Sequence, residues 1–422
     1  MVWQTLGLVL GSALLGFAGL RAVSAGFAIR SRLLRSRQRC ADRQLAFDLQ
    51  LANELQWARA AKPSYKAWSG TRPFKVAAVL EEALDCKSYY LVPADGRALP
   101  RFEPGQYLTL PIQVSEGERP YVRCYSLSER SREDYFRVSL KLARPPASQP
   151  QAPAGVVSSY FHKHVRVGAT IQVQAPQGAF FLDPTDESPV VLIGAGIGFT
   201  PIISMVNTLL HERVHQQAYV LAGFGNSAEH PFRKHFEEAK SHSDRIRIDV
   251  SYSRPSADDQ LGRDFDHQGY VSIDRLKLLL PSNNFHFYVC GPSAMMETLI
   301  PALREWGVPE SHIHCETFGP ASVKSLQQTR TLQDIAKGPC QVEFMLAEAN
   351  LAWDGDHESL LDFAESQGVA LEYGCRAGNC GQCLVSVKQG SVTHVKEPGM
   401  VLEEGQCLTC IGVPSGDVVL EA

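Results

Sequence analysis

Five of the chain's eleven cysteines crowd into residues 375–410, and their spacing is where the chemistry is written. Cys375, Cys380 and Cys383 run as C-x4-C-x2-C, and Cys410 follows after 26 further residues. Four thiolates at that spacing hold two sulfide-bridged irons, a [2Fe–2S] centre. Gly378 and Gly381 sit inside the loop, where backbone freedom lets the amides curl towards the sulfides. Zinc is the rival ion, but zinc sites usually join two short C-x2–4-C knuckles, and here one pair is stretched and glycine-rich. Cys407 is an alternative fourth ligand; Cys410 is preferred because it lies in the apolar run Leu408, Thr409, Cys410, Ile411.

A second constellation is Gly194, Gly196, Gly198, Thr200 and Pro201, which follows the apolar run PVVLI and opens a helical pattern. Glycines there let a backbone approach a pyrophosphate closely, and the helix N-terminus favours its charge. The spacing is G-x-G-x-G, not the usual G-x-G-x-x-G dinucleotide fingerprint. Cys290, Gly291 and Pro292 end a later strand pattern, at the edge where such sheets bind ligands. A third set is Arg123, Cys124, Tyr125 and Ser126, with Gly155 and Ser158 after the next strand. An Arg pairs with a pyrophosphate, a Tyr packs on an aromatic ring, and a Ser hydroxyl bonds a ring nitrogen. Taken alone, these residues also suit an ordinary strand.

Two patterns are set aside. His211, Glu212 and His215 match H-E-x-x-H, the zinc-protease signature, but at the end of the helix that leaves the glycine loop and with no third ligand. His162 and His164 fall together at the end of a polar strand or helix, and Cys40, Cys86, Cys315 and Cys340 read as core or surface thiols.

The elements that must position these residues change character along the chain. From Phe74 to about Asp183 the pattern is short alternating strands with turns at Asp95-Gly96, Pro104-Gly105 and Gln177-Gly178, an antiparallel β-barrel. From Pro189 to Gly307 buried strands alternate with helices, a doubly wound parallel α/β sheet. A polar stretch follows, then the cysteine-bearing unit.

Composition agrees with a multidomain globular chain. At 422 residues, about 150 per domain gives two to four domains. With 44% hydrophobic and 20% charged residues the chain is neither mainly disordered nor polytopic, and a net charge of −4 offers no basic field for nucleic acid. Clustered cysteines suit a reduced compartment. Residues 2–20 carry no charge; 18 helical residues span roughly 27 Å, close to a bilayer core. Arg21, Arg30, Arg32, Arg35, Arg37, Arg39 and Arg43 follow, so the positive-inside rule puts the bulk of the chain in the cytoplasm, behind a single-pass anchor in the inner or plasma membrane. A cleaved signal peptide is the competing reading and lacks a basic n-region.

The conjunction of R-C-Y-S, G-x-G-x-G-x-T-P, C-G-P and E-x-F at Glu316 to Phe318 resembles the ferredoxin–NADP reductase superfamily, and the plant-type cluster motif after it is like the phthalate dioxygenase reductase arrangement. The resemblance covers residues 72–422. The uncharged run and its arginines give a transmembrane anchor at 1–29, followed by a juxtamembrane helix and linker at 30–71, and the resemblance implies a flavin-binding β-barrel at 72–184, an NAD(P)-binding α/β domain at 185–318, a linker at 319–337 and a β-grasp [2Fe–2S] ferredoxin domain at 338–422. It further implies that Arg123 meets the flavin phosphates, Tyr125 packs on the isoalloxazine and Ser126 bonds near N5, with Gly155 and Ser158 completing the phosphate contacts. Gly194, Gly196, Gly198, Thr200, Pro201, Gly291 and Pro292 would hold the nicotinamide nucleotide, Cys290 would lie beside the nicotinamide, and Glu316 and Phe318 would border the flavin. Ser253 and Arg254 stand where related enzymes bind a 2′-phosphate, but Asp258 and Asp259 nearby oppose one, so NADH and NADPH both remain. FAD and FMN both occur in the family. The implied activity is an NAD(P)H-dependent reductase passing electrons through flavin and [2Fe–2S] to an oxygenase, hydroxylase or desaturase. The competing reading is a membrane-anchored ferredoxin-like carrier whose flavin module has become scaffold.

Overall fold

The computed structural model describes residues 68–422 except 116, 118, 119, 146–149, 184, 212–215, 243, 244, 317, 319–339, 397 and 401. The expected anchor at 1–29, the helix and linker up to residue 67, the linker at 319–337 and most of the H-E-x-x-H pattern lie outside the described residues. Among the described residues, no helix is long and apolar enough to cross a membrane.

The first unit contains β1 (Thr71–Ala83), β2 (Cys86–Pro93), β3 (Tyr107–Ile112), β4 (Tyr121–Ser126), β5 (Phe136–Lys141) and β6 (Thr170–Gln174). All pairings are antiparallel, in the orders β5-β2-β1-β6 and β3-β4. Isolated bridges Tyr107↔Gln177 and Leu127↔Val138 join the two sheets at both ends and close the expected barrel. Phe74, Leu91, Leu108 and Phe136 fill its interior. A helix, α1 (Val156–His164), crosses between β5 and β6 and ends in His162, Lys163 and His164, where the negative helix pole suits them.

The second unit is a six-stranded, wholly parallel sheet in the order β10-β9-β8-β7-β11-β12. Its strands are β7 (Val190–Ala195), β8 (Ala218–Phe224), β9 (Ile246–Tyr252), β10 (His267–Gln268), β11 (His286–Cys290) and β12 (Ile313–Glu316). Helices α2 (Phe199–His211), α3 (Arg233–His242), α4 (Ile273–Leu279) and α5 (Ser293–Glu305) connect them. Val190 to Gly194 are buried, as a central parallel strand covered on both faces must be. The chain leaves β7 in one direction and returns beyond it at β11, so the carboxyl ends of these two strands form the topological switch point. Helix α4 was not among the expected elements; the Ser272 hydroxyl caps its start by accepting from Arg275 N at 3.3 Å.

The third unit is a five-stranded sheet of order β14-β13-β19-β15-β17, built from β13 (Cys340–Phe344), β14 (Ala349–Trp353), β15 (Leu384–Gln389), β17 (Gln406–Leu408) and β19 (Val418–Glu421). A side pair is formed by β16 (Val392–His394) and β18 (Gly412–Pro414). The parallel β13–β19 contact in an otherwise antiparallel sheet, covered by α6 (Leu360–Ser366), is the β-grasp arrangement. Trp353, Leu360 and Phe363 form its core beside the cysteine loop.

Candidate functional site

A cavity of about 550 Å³ opens where the three units meet. Strand β4 supplies residues 123–126, helix α2 supplies Thr200, the end of β12 supplies Glu316 and Phe318, and the cysteine loop supplies Cys375. Alternation along β4 buries Ser126 while leaving Arg123 and Tyr125 half-buried on the cavity wall. The Arg123 guanidinium donates to the carbonyls of Val122 at 2.8 Å and Gly374 at 3.5 Å. No described carboxylate pairs with it, so its charge is available to an anionic ligand. The Tyr125 ring packs 5.9 Å from Phe161, and burial pushes its phenol above the usual range.

The nucleotide motifs converge at the switch point. In the sheet Gly194 lies beside Cys290, and Cys290 lies beside Glu316. A Cβ on Gly198 would stand 2.5 Å from the Cys290 carbonyl oxygen and 2.6 Å from Gly291 Cα, so only glycine lets the two loops touch. Gly196 takes φ +54°, turning the chain into α2. The Thr200 hydroxyl donates to Ile197 O at 2.9 Å, and Pro201 occupies the first turn, where no N–H is missed. Cys290 is fully buried, and burial pushes its thiol well above the ordinary value, keeping it neutral.

Other expected residues fall outside the cavity lining. The Ser158 hydroxyl accepts from Ala143 N at 3.1 Å and donates to Gly155 O at 3.0 Å, holding the turn into α1. Ser253 and Arg254 follow β9, two strands away from β7, where Arg254 meets Glu229 at 3.4 Å. Glu229 also faces Lys141 at 3.6 Å. His211 makes an ion-pair contact of 3.7 Å with Glu238.

In the cysteine loop the amides of Ala377, Asn379 and Cys380 donate to Cys375 Sγ at 3.4, 3.3 and 3.3 Å. Cys375 N donates to Cys380 Sγ at 3.2 Å, and Gly378 N to Cys410 Sγ at 3.3 Å. The turn needs left-handed backbone at Gly378 (φ +71°) and Gly381 (φ +73°), and Arg376 shares it at φ +51°. The thiols influence one another most strongly in two neighbouring pairs, Cys375 with Cys380 and Cys383 with Cys410. Among the described residues no three His, Cys, Asp or Glu side chains converge on one metal-ion position. Two thiol pairs wrapped in amide donors fit a pair of bridged irons better than one tetrahedral ion. Cys410, not Cys407, is the thiol that receives a loop amide, that of Gly378, and neighbours Cys383.

The spacing of the motifs did not reveal what joins them. Cys124 and Cys375 lie together on the cavity wall, and Tyr107 Oη donates to Asn379 O at 2.6 Å and Gly399 O at 3.0 Å. Asn379 Nδ2 donates to Glu316 at 3.2 Å, and Lys396 Nζ to Asn379 Oδ1 at 3.2 Å. Burial pushes the Glu316 carboxyl up to about 7 against the opposing effects of Lys396 and Asn379.

Known proteins divide the chain the same way. The oxidoreductase FAD-binding domain family matches residues 88–182, the oxidoreductase NAD-binding domain family 192–299, and the 2Fe-2S iron-sulfur cluster binding domain family 350–415. The flavohemoprotein of Bordetella pertussis is 35% identical over 283 residues, covering 66% of this chain and 68% of that protein. That of Halalkalibacterium halodurans is 32% identical over 278 residues, covering 66% and 67%. The chain thus spans about two thirds of the length of these curated relatives. The flavohem-like FAD/NAD-binding domain of nitric oxide dioxygenase from Vibrio cholerae O1 biovar El Tor superposes with a TM-score of 0.51 at 33% identity, over 59% of this chain and 99% of that one. An intact type IV self-sufficient cytochrome P450 monooxygenase shares the fold, with a TM-score of 0.59 at 21% identity over 83% of this chain and 41% of that one. With its FAD-, NAD- and [2Fe–2S]-binding domains in this order, the chain belongs to the ferredoxin–NADP reductase-like flavoprotein family and is an NAD(P)H oxidoreductase, an electron-transfer reductase with a C-terminal plant-type ferredoxin domain.

Proposed function

We propose that this reductase delivers electrons from NAD(P)H to an oxygenase, hydroxylase or desaturase, and that residues 1–29 tether it to the inner or plasma membrane with its domains in the cytoplasm. The observation that carries the reading is the shared cavity, whose wall contains the R-C-Y-S motif, Thr200, Glu316 and the cluster ligand Cys375. The nitric oxide dioxygenase domain described above supports an oxygenase-type acceptor. The uncharged run at 2–20 and the arginines after it support the tether.

A bound flavin would supply an acceptor for hydride from NAD(P)H, and a [2Fe–2S] centre an acceptor for single electrons. The chain's residues orient, desolvate and hold protons. Arg123, which pairs with no described carboxylate, is assigned to the flavin phosphates, and Tyr125 and Ser126 to its ring. Gly194, Gly196 and Gly198 give the nucleotide backbone amides to approach, and Gly291 and Pro292 shape the opposite side. Cys290 stays a neutral, dry neighbour of the reacting ring, while Glu316 keeps a proton close to neutral pH at the cavity edge. Gly155 and Ser158 shape the turn at α1, which offers its N-terminus to a phosphate.

The test uses full-length protein in solubilised membranes. NAD(P)H should drive rapid cytochrome c reduction, and an oxygenase, hydroxylase or desaturase should copurify. A full-length protein that fractionates with soluble material would remove the tether, and flavin-loaded protein inert towards cytochrome c would remove the electron-delivery role.

A further inference from the structure

The polar groups of Asn379 are each engaged, and their partners come from all three units. Its amide N donates to Cys375 Sγ at 3.3 Å, and its carbonyl accepts from Tyr107 of the barrel at 2.6 Å. Its side-chain oxygen accepts from Lys396 at 3.2 Å, and its side-chain nitrogen donates to Glu316 of the nucleotide domain at 3.2 Å. Tyr107, Glu316, Asn379 and Lys396 are all buried. In a low-dielectric junction a satisfied network fixes one geometry, and loss of one member leaves its partner unpaired at high cost.

We propose that Lys396, acting through Asn379 and Glu316, is a positioning residue that latches the cluster loop onto the flavin cavity and sets the rate at which electrons cross from flavin to cluster. Lys396 lies outside the cavity lining, so its influence on flavin and nucleotide passes through the loop it holds. Each crossing oxidises the reduced flavin by one electron and reduces the iron pair by one, with no protein bond made or broken. Electron transfer is sensitive to placement, and Asn379 sits immediately before the ligand Cys380, so a shift of its amide moves the cluster ligands relative to the cavity. Gly399 gives independent access to the same amide: a Cβ there would stand 2.5 Å from Asn379 Oδ1.

The inference rests on the reductase reading, and the experiment separates the two. Full-length protein loaded with flavin and cluster is mixed anaerobically with NAD(P)H, and flavin bleaching and cluster bleaching are followed separately for wild type, Lys396→Met and Gly399→Ala. The expected result is unchanged flavin bleaching and unchanged KM for NAD(P)H, with cluster reduction slowed roughly tenfold or more in both variants. Cluster reduction at the wild-type rate in both variants overturns the latch. So does slowing of flavin bleaching in parallel, or loss of iron from both variants, because each would make the network general scaffolding. Wild type that fails to bleach its flavin with NAD(P)H would instead overturn the reductase reading.

Discussion

Cys124, inside the flavin motif of the barrel, and Cys375, the first thiol of the cysteine loop, lie together on the wall of the shared cavity. Thr109 Oγ1 lies 3.5 Å from the same thiol and helps to orient it. A donor on a ligand sulfur stabilises the more negative, reduced cluster and raises its potential. Cys124→Ala removes a thiol placed to be such a donor to Cys375. One such bond contributes about 1 kcal/mol, which for a single electron is on the order of 40 mV. The cluster midpoint should therefore fall by tens of millivolts in an EPR-monitored titration; an unchanged midpoint would show that Cys124 makes no such bond.

Gly198 predicts a selective lesion. Gly198→Ala places a methyl against the backbone of Cys290 and Gly291, neither of which can rotate away. The glycine loop and the C-G-P loop must separate, and hydride transfer should slow by about a hundredfold, as displacements near 1 Å do. The flavin and iron content should stay at wild-type levels. Wild-type flavin bleaching in this variant would contradict the site as assembled here.

Nucleotide choice turns on Arg254. Its guanidinium meets Glu229, and Asp259 caps the adjoining loop by accepting from Ser256 N at 2.7 Å. A 2′-phosphate would compete with Glu229 and face Asp259, so NADH should be the better substrate. Glu229→Gln should raise kcat/KM for NADPH by roughly tenfold while changing NADH little. Steady-state kinetics with both nucleotides decide it; a wild-type preference for NADPH would reverse the assignment.

The raised pKa of Glu316 is also a statement about stability. Burial lifts its carboxyl from an ordinary 4.5 to about 7, so between those values the folded chain keeps a proton that the unfolded chain releases. Stability from this group is therefore complete below about pH 4.5 and is lost as pH rises through 7. His230 and His235 act in the opposite direction: burial lowers them to about 3 and about 4, and they destabilise the fold as pH falls below 6.5. The difference in Tm between wild type and Glu316→Gln isolates the carboxyl. It should shift in favour of the variant as pH rises from 4.5 to 7, and a pH-independent difference would show that Glu316 titrates normally.

The cysteine loop was legible because its thiols are neighbours in sequence, and C-x4-C-x2-C with Gly378 and Gly381 specifies its own turn. The three-unit order was legible for a related reason: residue periodicity switches from strand alternation to buried strands and helices near Pro189. What joins the units was not. Tyr107 and Asn379 are 272 positions apart, and nothing in the run GQYLTLPI distinguishes a hydroxyl bound for another domain from one facing solvent. Glu316 was found through its motif, but its partners Asn379 and Lys396 were not, because a buried polar contact has no local pattern. Ser158, which the resemblance assigned to a phosphate contact, holds the turn at Gly155 through its hydroxyl, a local role that its motif does not show.

The central claim is that hydride taken up at the shared cavity leaves as single electrons through Cys375 and its three companion thiolates. An anaerobic titration of the loaded protein with NADH, followed by optical and EPR spectroscopy, tests it most directly. The account predicts uptake of one electron beyond the two that a flavin holds, with an EPR signal of a reduced [2Fe–2S] centre growing as the flavin band fades. Flavin that is fully reduced while the iron centre stays oxidised and EPR-silent would contradict it.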